Sequence, residues 1–398
     1  MSKLLILGGT SFQTPAIVQA LKLGHHVITC DYTPENPGHQ YAHEYHNVST
    51  MDRAGVLCLA KKRAIDGILA FASDPAASTA AYVAAKLGLH GAPCQAIEIL
   101  RNKPLFRSFL RTHGFRVPRF GVPEDLPAAY EMARAVGYPV MVKPCDSSGS
   151  KGVSRIESED DLPAALTLAR EYSHSGHIII EEWIERAGRQ IAGDGLVVDG
   201  RVVFGCFGDE HFDLRCSMFA PVGESFPGQL CEGHRLKLYA ELDRLFLLLG
   251  IRRLVFNLDA MVDRSGEIIL IEVGPRAGGN FLPQVIYHHT GVQMTDMAIR
   301  QALGEPIEDG AYYSKPQGFH ASWMIHSLTY GHLAGFEIAP ELGEYILRVE
   351  LLSKPGSLVR RFKSSRDTLG YALFSFPSQA IMEDSMANME MLLRPLVV

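Results

Sequence analysis

The chain has 398 residues, 47% of them hydrophobic and 21% charged, with a net charge of −6. That length exceeds one simple core and suggests two or three domains at roughly 150 residues each. The acidic balance and the absence of a basic tail argue against a nucleic-acid partner, and no run approaches the roughly 20 uncharged apolar residues of a membrane helix. Seven scattered cysteines fit a reducing compartment, with none spaced for zinc. The start, MSKLLILGG, lacks the length and cleavage pattern of a signal peptide, so a cytoplasmic protein is expected.

Residues 4–7 read as a buried strand, followed by the turn Gly8-Gly9-Thr10-Ser11, a helix over 16–23 and a second strand over 26–30. This β–turn–α–β unit opens a doubly wound parallel sheet. The turn lacks the full G-x-G-x-x-G pattern, because Thr10 and Gln13 stand where later glycines would be, and NAD binding there is a poor reading. Helices over 54–63 and 76–87 flank a strand over 67–72. Ser73-Asp74-Pro75 lies at that strand's C-terminal end, where such sheets place ligand loops. Asn102-Lys103 open a helix over 104–113, and Pro118 and Pro123 then mark a boundary. The first domain is therefore residues 1–115.

A helix over 126–136 leads to the strand YPVMVK at 138–143 and the loop PCDSSGSKG at 144–152. A return strand over 154–157 follows, and Ser158 is placed to cap a helix reaching about Tyr172. Residues 178–182, IIIEE, form a strand running into Trp183-Ile184. Asp199-Gly200 is a two-residue hairpin turn between strands over 196–198 and 201–205. Residues 211–228 read as a long loop, a candidate substrate loop or lid, before a helix over 232–249. Two apolar runs, 254–262 and 267–273, then flank Asp263-Arg264-Ser265-Gly266 as a hairpin. The tail holds strand-like runs at 345–352 and 371–374 and a helix over 380–393.

The hairpin carries one acid in each apolar strand, Asp259 and Glu272. Facing carboxylates repel unless a cation lies between them. Arg276 and the pair Gly278-Gly279 follow at once, so the stretch is a cradle for Mg²⁺ and phosphate oxygens, or an ordinary hairpin whose acids are solvated or paired with arginines. Lys143 ends an apolar strand just before a Ser/Gly loop, where its ammonium can sit over a phosphate wrapped by backbone N–H groups of 148–152. Lys151 adds charge to that loop and Lys103 offers a second cation. Glu181 and Glu182, next to Trp183-Ile184, suit a purine read by backbone groups and a carboxylate and sandwiched by apolar side chains.

Taken in this order, the landmarks Asn102-Lys103, 138–144, 147–153, 179–184, 257–259 and 271–279 resemble the ATP-grasp superfamily, over about residues 1–310 and on toward the end. The resemblance implies an α/β and α+β protein: a preATP-grasp Rossmann-like domain (1–115), then a two-lobed ATP-grasp fold with a small lid (116–185) and a catalytic subdomain (186–310), with residues 311–398 as a C-terminal α+β extension packed on it. It implies an ATP- and Mg²⁺- (or Mn²⁺-) dependent ligase that activates a carboxylate as an acyl phosphate and joins it to an amine. Carried across by position, Lys103 and Lys143 match the phosphate-contacting lysines, and Ser147, Ser148, Gly149, Lys151 and Gly152 the flexible phosphate loop. Glu181, Glu182, Trp183 and Ile184 match the adenine hinge, Asp259 and Glu272 the metal carboxylates, and Arg276 the phosphate-site arginine. Lys143 and Arg276 are the expected charge-stabilising catalytic groups. His211, Asp213, Gly279 and Asn280 are substrate-site candidates beside Arg276.

Two positions depart from the family pattern. Gly274 stands where an Asn usually follows the second metal acid, leaving Asn280 or a water to replace it. Gln190 stands where an acid usually contacts ribose, with Glu185 and Asp194 as nearby candidates. The distant likeness extends to the biotin carboxylase and carbamoyl-phosphate synthase ATP-grasp domains, without the bicarbonate-site pattern of biotin carboxylases. A bicarbonate-using carboxylase and a nucleotide-binding regulator without turnover are the competing readings. The expected partners are small carboxylate and amine substrates, with a homodimer left open.

Overall fold

In the computed structural model, which describes residues 1–313 and 316–398, four β-sheets organise the chain. Lys3–Leu7 (β1), His26–Asp31 (β2), Glu44–Asn47 (β3) and Gly67–Ala70 (β4) form a parallel sheet in the order β3-β2-β1-β4. Leu4, Leu5, Ile6 and Leu7 are all fully buried, because a parallel strand is covered on both faces. Thr14–Lys22 (α1) crosses from β1 to β2 and Arg53–Arg63 (α2) from β3 to β4; Asp74–Leu87 (α3), Cys94–Arg101 (α4) and Lys103–Thr112 (α5) follow the last strand and lead out of the sheet. Asn102 caps α5, accepting from the Leu105 N–H, so Lys103 is fixed at the first helical position.

Phe120–Gly121 (β5), Leu126–Val136 (α6), Val140–Pro144 (β6), Ser154–Ile156 (β7), Leu162–Tyr172 (α7) and Ile178–Glu182 (β8) make the small lobe, an antiparallel sheet β5-β8-β6-β7 backed by the two helices. Ser158 makes no capping hydrogen bond; Glu159–Asp161 instead form a 3₁₀ turn before α7, and Glu159 pairs with Arg134 of α6.

The large lobe is one eight-stranded antiparallel sheet. Gln190–Val198 (β9), Arg201–Phe212 (β10), Pro221–Phe226 (β11), Arg253–Val262 (β12), Ile268–Gly274 (β13) and Phe319–Ile325 (β14) contribute, and the tail adds Ile346–Leu351 and Gly370–Phe376. The tail's strands are Gly331–Ile338 (β15), Ile346–Leu351 (β16), Leu358–Val359 (β17), Gly370–Phe376 (β18) and Leu393–Val397 (β19); the sheet order is β13-β12-β9-β10-β11-β14-β18-β16, with β17-β15-β19 as a separate small sheet. The helices are Glu232–Leu248 (α8), Leu282–Thr290 (α9), Met294–Leu303 (α10), Pro340–Gly343 (α11), Gln379–Ala387 (α12) and Met389–Leu392 (α13). The large sheet thus runs from residue 190 to residue 376 across the position expected to divide catalytic subdomain from extension. Asp199 (φ 49°) and Gly200 (φ 82°) turn β9 into β10, as their sequence demands.

Two expectations fail here. Residues 211–228 are not a long loop: β10 continues to Phe212 and β11 begins at Pro221. Their strand character was masked because the buried faces carry acids and a histidine instead of apolar residues: Asp209, Glu210, His211, Glu224 and Ser225 are all buried. The helix expected over 380–393 breaks at Asn388 into α12 and α13 and gives way to β19.

One core cluster joins Leu4, Ile6 and Ile17 of the first domain to Val285, Met297 and Ile299 of α9 and α10. The N-terminal sheet is therefore docked against the large lobe, which brings the start of α3 to the end of β13.

Candidate functional site

The β12–β13 hairpin forms as its sequence predicts, with the Asp263 carboxylate accepting from the Ser265 and Glu267 N–H groups across the turn. Asp259 and Glu272 are direct cross-strand partners. Burial, and then the charge of Glu272, pushes the Asp259 carboxyl up to about 7. Two opposed oxygen ligands, one destabilised as an anion, are a donor set suited to a hard divalent cation.

Arg276 is not free. Its Nη2 donates to Asp74 Oδ2 at 2.6 Å, and Asp74 is the first residue of α3. Burial pushes the Asp74 carboxyl up, and the charge and hydrogen bond of Arg276 outweigh it, holding the carboxyl below its ordinary value. This pair explains Gly274. A Cβ at that position would lie 3.2 Å from both Arg276 Cζ and Asp74 Oδ1. The space of the usual Asn is filled by an ion pair from two domains. Asn280 does not fill it, since its side chain bonds Glu224.

In the small lobe, β6 and β8 pair so that Lys143 and Glu181 meet: Lys143 Nζ donates to Glu181 Oε2 at 2.7 Å. Arg107 of α5, 2% exposed, donates through Nε to the other oxygen at 2.8 Å and through Nη1 to the Leu270 carbonyl of β13 at 3.3 Å. Glu181 is pushed up by burial and pulled down further by Arg107 and Lys143, to about 2. Its carboxylate is committed to these cations, which corrects the expectation that it reads an adenine edge. Glu182 turns the other way, accepting from the Arg119 N–H at 3.0 Å. The Trp183 ring lies against the Arg155 guanidinium, 4.5 Å away, with Ile184 next in the chain. Lys103 Nζ donates to the Ser147 carbonyl at 2.8 Å and sits 3.5 Å from Glu272, tying the loop to the metal-type hairpin. Within the loop Gly149 (φ 66°) and Gly152 (φ 72°) are left-handed, which glycine tolerates, and Ser150 between them is left-handed too (φ 58°). Lys151, partly buried, feels the charges of both Arg366 and Asp74: burial and Arg366 depress its ammonium and Asp74 opposes them.

A cleft of about 200 Å³ gathers Ser148, Gly149, Asp74, Asp259, Glu272, Arg276, Gly279 and Asn280. Two further acids line it, Glu210 and Glu224, directly opposed on β10 and β11. Burial, then Asp259 and Glu224, raises the Glu210 carboxyl well above its usual value. Burial raises Glu224 to about 7, against the Ser322 hydroxyl donating at 2.5 Å. Gln190 donates to Glu210 at 2.5 Å, so it holds that acid in place. Glu210 lines the cleft while its neighbour His211, by the alternation of β10, does not, and Asp213 lies past the end of the strand and outside the lining, contrary to expectation. His211 bonds Ser225 at 2.8 Å and lies 3.2 Å from Arg189; burial, then Arg189, lowers it to about 3. Asp213 is held by Arg215 and His326. The ribose candidates also have other partners: Asp194, fully buried, accepts from the Gly278 N–H and Asn257, and Glu185 pairs with Arg264. The sequence reading missed Arg107, Glu210 and Glu224, and it noted Asp74 only as part of a ligand-type loop. The three acids of FGDEHFD and the one of PVGESF, each among aromatic and small residues, were the available signal.

Residues 136–284 match the family described as the ATP-grasp domain. The ATP-grasp enzyme fsqD of Aspergillus fumigatus is 27% identical over 376 residues, 81% of this chain and 63% of that one. The formate-dependent phosphoribosylglycinamide formyltransferase of Burkholderia vietnamiensis is 28% identical over 191 residues, 46% of each chain. The chain thus spans between about half and under two thirds of the length of these curated relatives. The L-amino acid ligase from Bacillus licheniformis superposes with a TM-score of 0.83 at 21% identity, over 100% of this chain and 99% of that one, and so shares its fold. No helix among the described residues is long and apolar enough to cross a membrane.

Proposed function

We propose that this chain, whose residues 136–284 are an ATP-grasp domain, is an ATP- and divalent-metal-dependent ligase that activates a carboxylate as an acyl phosphate and joins it to an amine. The observation that carries this reading is the direct opposition of Asp259 and Glu272 in an apolar hairpin, with Arg276 at its end. Asp259 and Glu272 would hold a divalent cation such as Mg²⁺ or Mn²⁺, which would supply charge neutralisation for the phosphates. Lys143 and Lys103 reach phosphate oxygens from the lid and from α5, the 147–152 loop covers them, and the hinge backbone at 181–184 receives the adenine. Arg276, oriented by Asp74, stabilises charge on the transferring phosphoryl group. The opposed acids Glu210 and Glu224 suit the amine. Glu224, raised to about 7, is placed to accept the proton that the attacking nitrogen releases.

The test is ADP release from Mg-ATP against pooled amino acids, amino sugars and hydroxy acids, with and without bicarbonate. Glu272→Gln is expected to abolish ADP formation while leaving the fold intact. ADP release that needs bicarbonate alone would make the protein a carboxylase. Tight Mg-ATP binding with no ADP release under any pairing would make it a nucleotide-binding regulator.

A further inference from the structure

A larger cavity, about 1040 Å³, lies behind the phosphate loop, between that loop, α7 and residues 353–369 of the tail. Its wall carries five cations, Lys151, Arg360, Arg361, Lys363 and Arg366, against a single carboxylate, Asp367. Asp367 is already used: it accepts from the N–H groups of Lys363 at 3.0 Å and Ser364 at 3.1 Å. Among the described residues none of the five cations forms an ion pair. Arg361 donates to a backbone carbonyl, that of Arg215, at 2.6 Å. Burial depresses the Lys151 ammonium, and the charge of Arg366 depresses it further. A chain with a net charge of −6 has thus gathered five cations, four of them solvent-exposed, around one cavity with a single carboxylate on its wall. An excess of one charge around a concavity focuses a positive potential that attracts an anion.

The cavity adjoins the metal cleft. Ser150 lines both, Ser365 lines the cleft, and its neighbours Ser364 and Arg366 line the cavity. The partition is the loop tip: a Cβ on Gly149 would lie 3.0 Å from Ser365 Oγ, and Ser150 donates to the Phe219 carbonyl.

We infer that this cavity receives the anionic part of one of the two substrates, a moiety with at least two negative charges supplied by a phosphate monoester or by several carboxylates. The reacting end of that substrate reaches the metal cleft past the Gly149–Ser365 contact. Guanidinium groups suit either anion because they bind both in a bidentate fork. The inference rests on the ligase reading and specifies its substrate.

The nucleotide site is first filled with Mg²⁺ and a non-hydrolysable ATP analogue, and O-phosphoserine, citrate and glutamine are then titrated by calorimetry. One of the two anions is expected to bind and glutamine is not; phosphoserine identifies a phosphate and citrate a carboxylate cluster. The double variant Lys363→Gln/Arg366→Gln should weaken that binding about tenfold or more and leave the analogue's affinity within about twofold. Lys363→Arg/Arg366→Lys, which keeps both charges, should retain it. Absence of binding by both anions, or equal binding by wild type and the neutralised variant, overturns the inference. ADP release with uncharged substrates that is unaffected by the double variant also overturns it and leaves the ligase standing. Failure of the analogue itself to bind removes both.

Discussion

Arg107 offers a sharp test of how the lid lysine is held. Glu181 shares one negative charge between Arg107 and Lys143, so the buried group carries a net charge of +1, directed toward the nucleotide side through Lys143. Arg107→Met keeps most of the side-chain volume and removes one cation and the bonds to Glu181 and Leu270. Breaking a buried pair costs ~3–5 kcal/mol, and the lower end applies because Lys143 still pairs with Glu181. The group also becomes neutral, with the Lys143 ammonium held wholly by Glu181. Nucleotide affinity should therefore fall by about one charge-assisted contact, ~1.5–3 kcal/mol, or about 10- to 150-fold in Kd. Calorimetric titration of the Mg-bound ATP analogue reads the second effect and thermal denaturation the first. Arg107→Met/Glu181→Gln restores the net charge of +1, so nucleotide affinity should recover while stability does not. If the double variant binds no better than the single one, Arg107 acts only through packing and the charge argument is wrong.

Gly274→Asn is expected to fold, because the position lies in β13 without a left-handed φ, but it crowds Asp74 and Arg276 at 3.2 Å and should cost ~1–3 kcal/mol in a melting experiment. In an Asp74→Ala background, which by itself loses the buried pair, Gly274→Asn should cost clearly less than in the wild type, and an equal cost in both backgrounds would remove the Asp74–Arg276 pair as the reason for the glycine. The pH dependence follows from Asp259, whose carboxyl is raised to about 7 from 3.8. Folding favours its protonated form, so its contribution to metal-free stability falls as pH rises from about 4 through about 7 and is constant above. Metal binding needs the anion, so Mg²⁺ affinity should rise by up to about tenfold per pH unit below 7 and level off above it. Titrations at about pH 6, 7 and 8 read this, and an equal slope in Asp259→Asn would assign the proton elsewhere.

What the sequence could show depended on whether local pattern or long-range contact decided the outcome. The opposed acids of the β12–β13 hairpin were legible, because alternation and a four-residue turn set the register that pairs Asp259 with Glu272. The Lys143 loop was legible for the same reason. Arg107 was not: it reaches residues 74 and 163 positions away, and a helical arginine carries no local mark of that. Residues 211–228 misled because strand recognition leans on apolar inward faces, and here the inward faces are the site itself. Buried acids in β10 and β11 look like loop composition until the sheet that buries them is known.

Gly274 shows the same limit from the other side. The sequence marked it as an anomaly, since a glycine stood where a side-chain oxygen was expected. Asn280, six residues along the chain, bonds Glu224 and leaves that place to another group. The structure offers Asp74 instead, 202 residues from the arginine it holds and on a different domain. That contact requires the N-terminal sheet to be docked on α9 and α10, and the shared core of Leu4, Ile6, Val285 and Ile299 provides the docking. The first domain therefore serves as more than a neighbour of the cleft. By placing a carboxylate at the end of β13, it sets the orientation of Arg276 and makes a glycine at 274 the residue that fits.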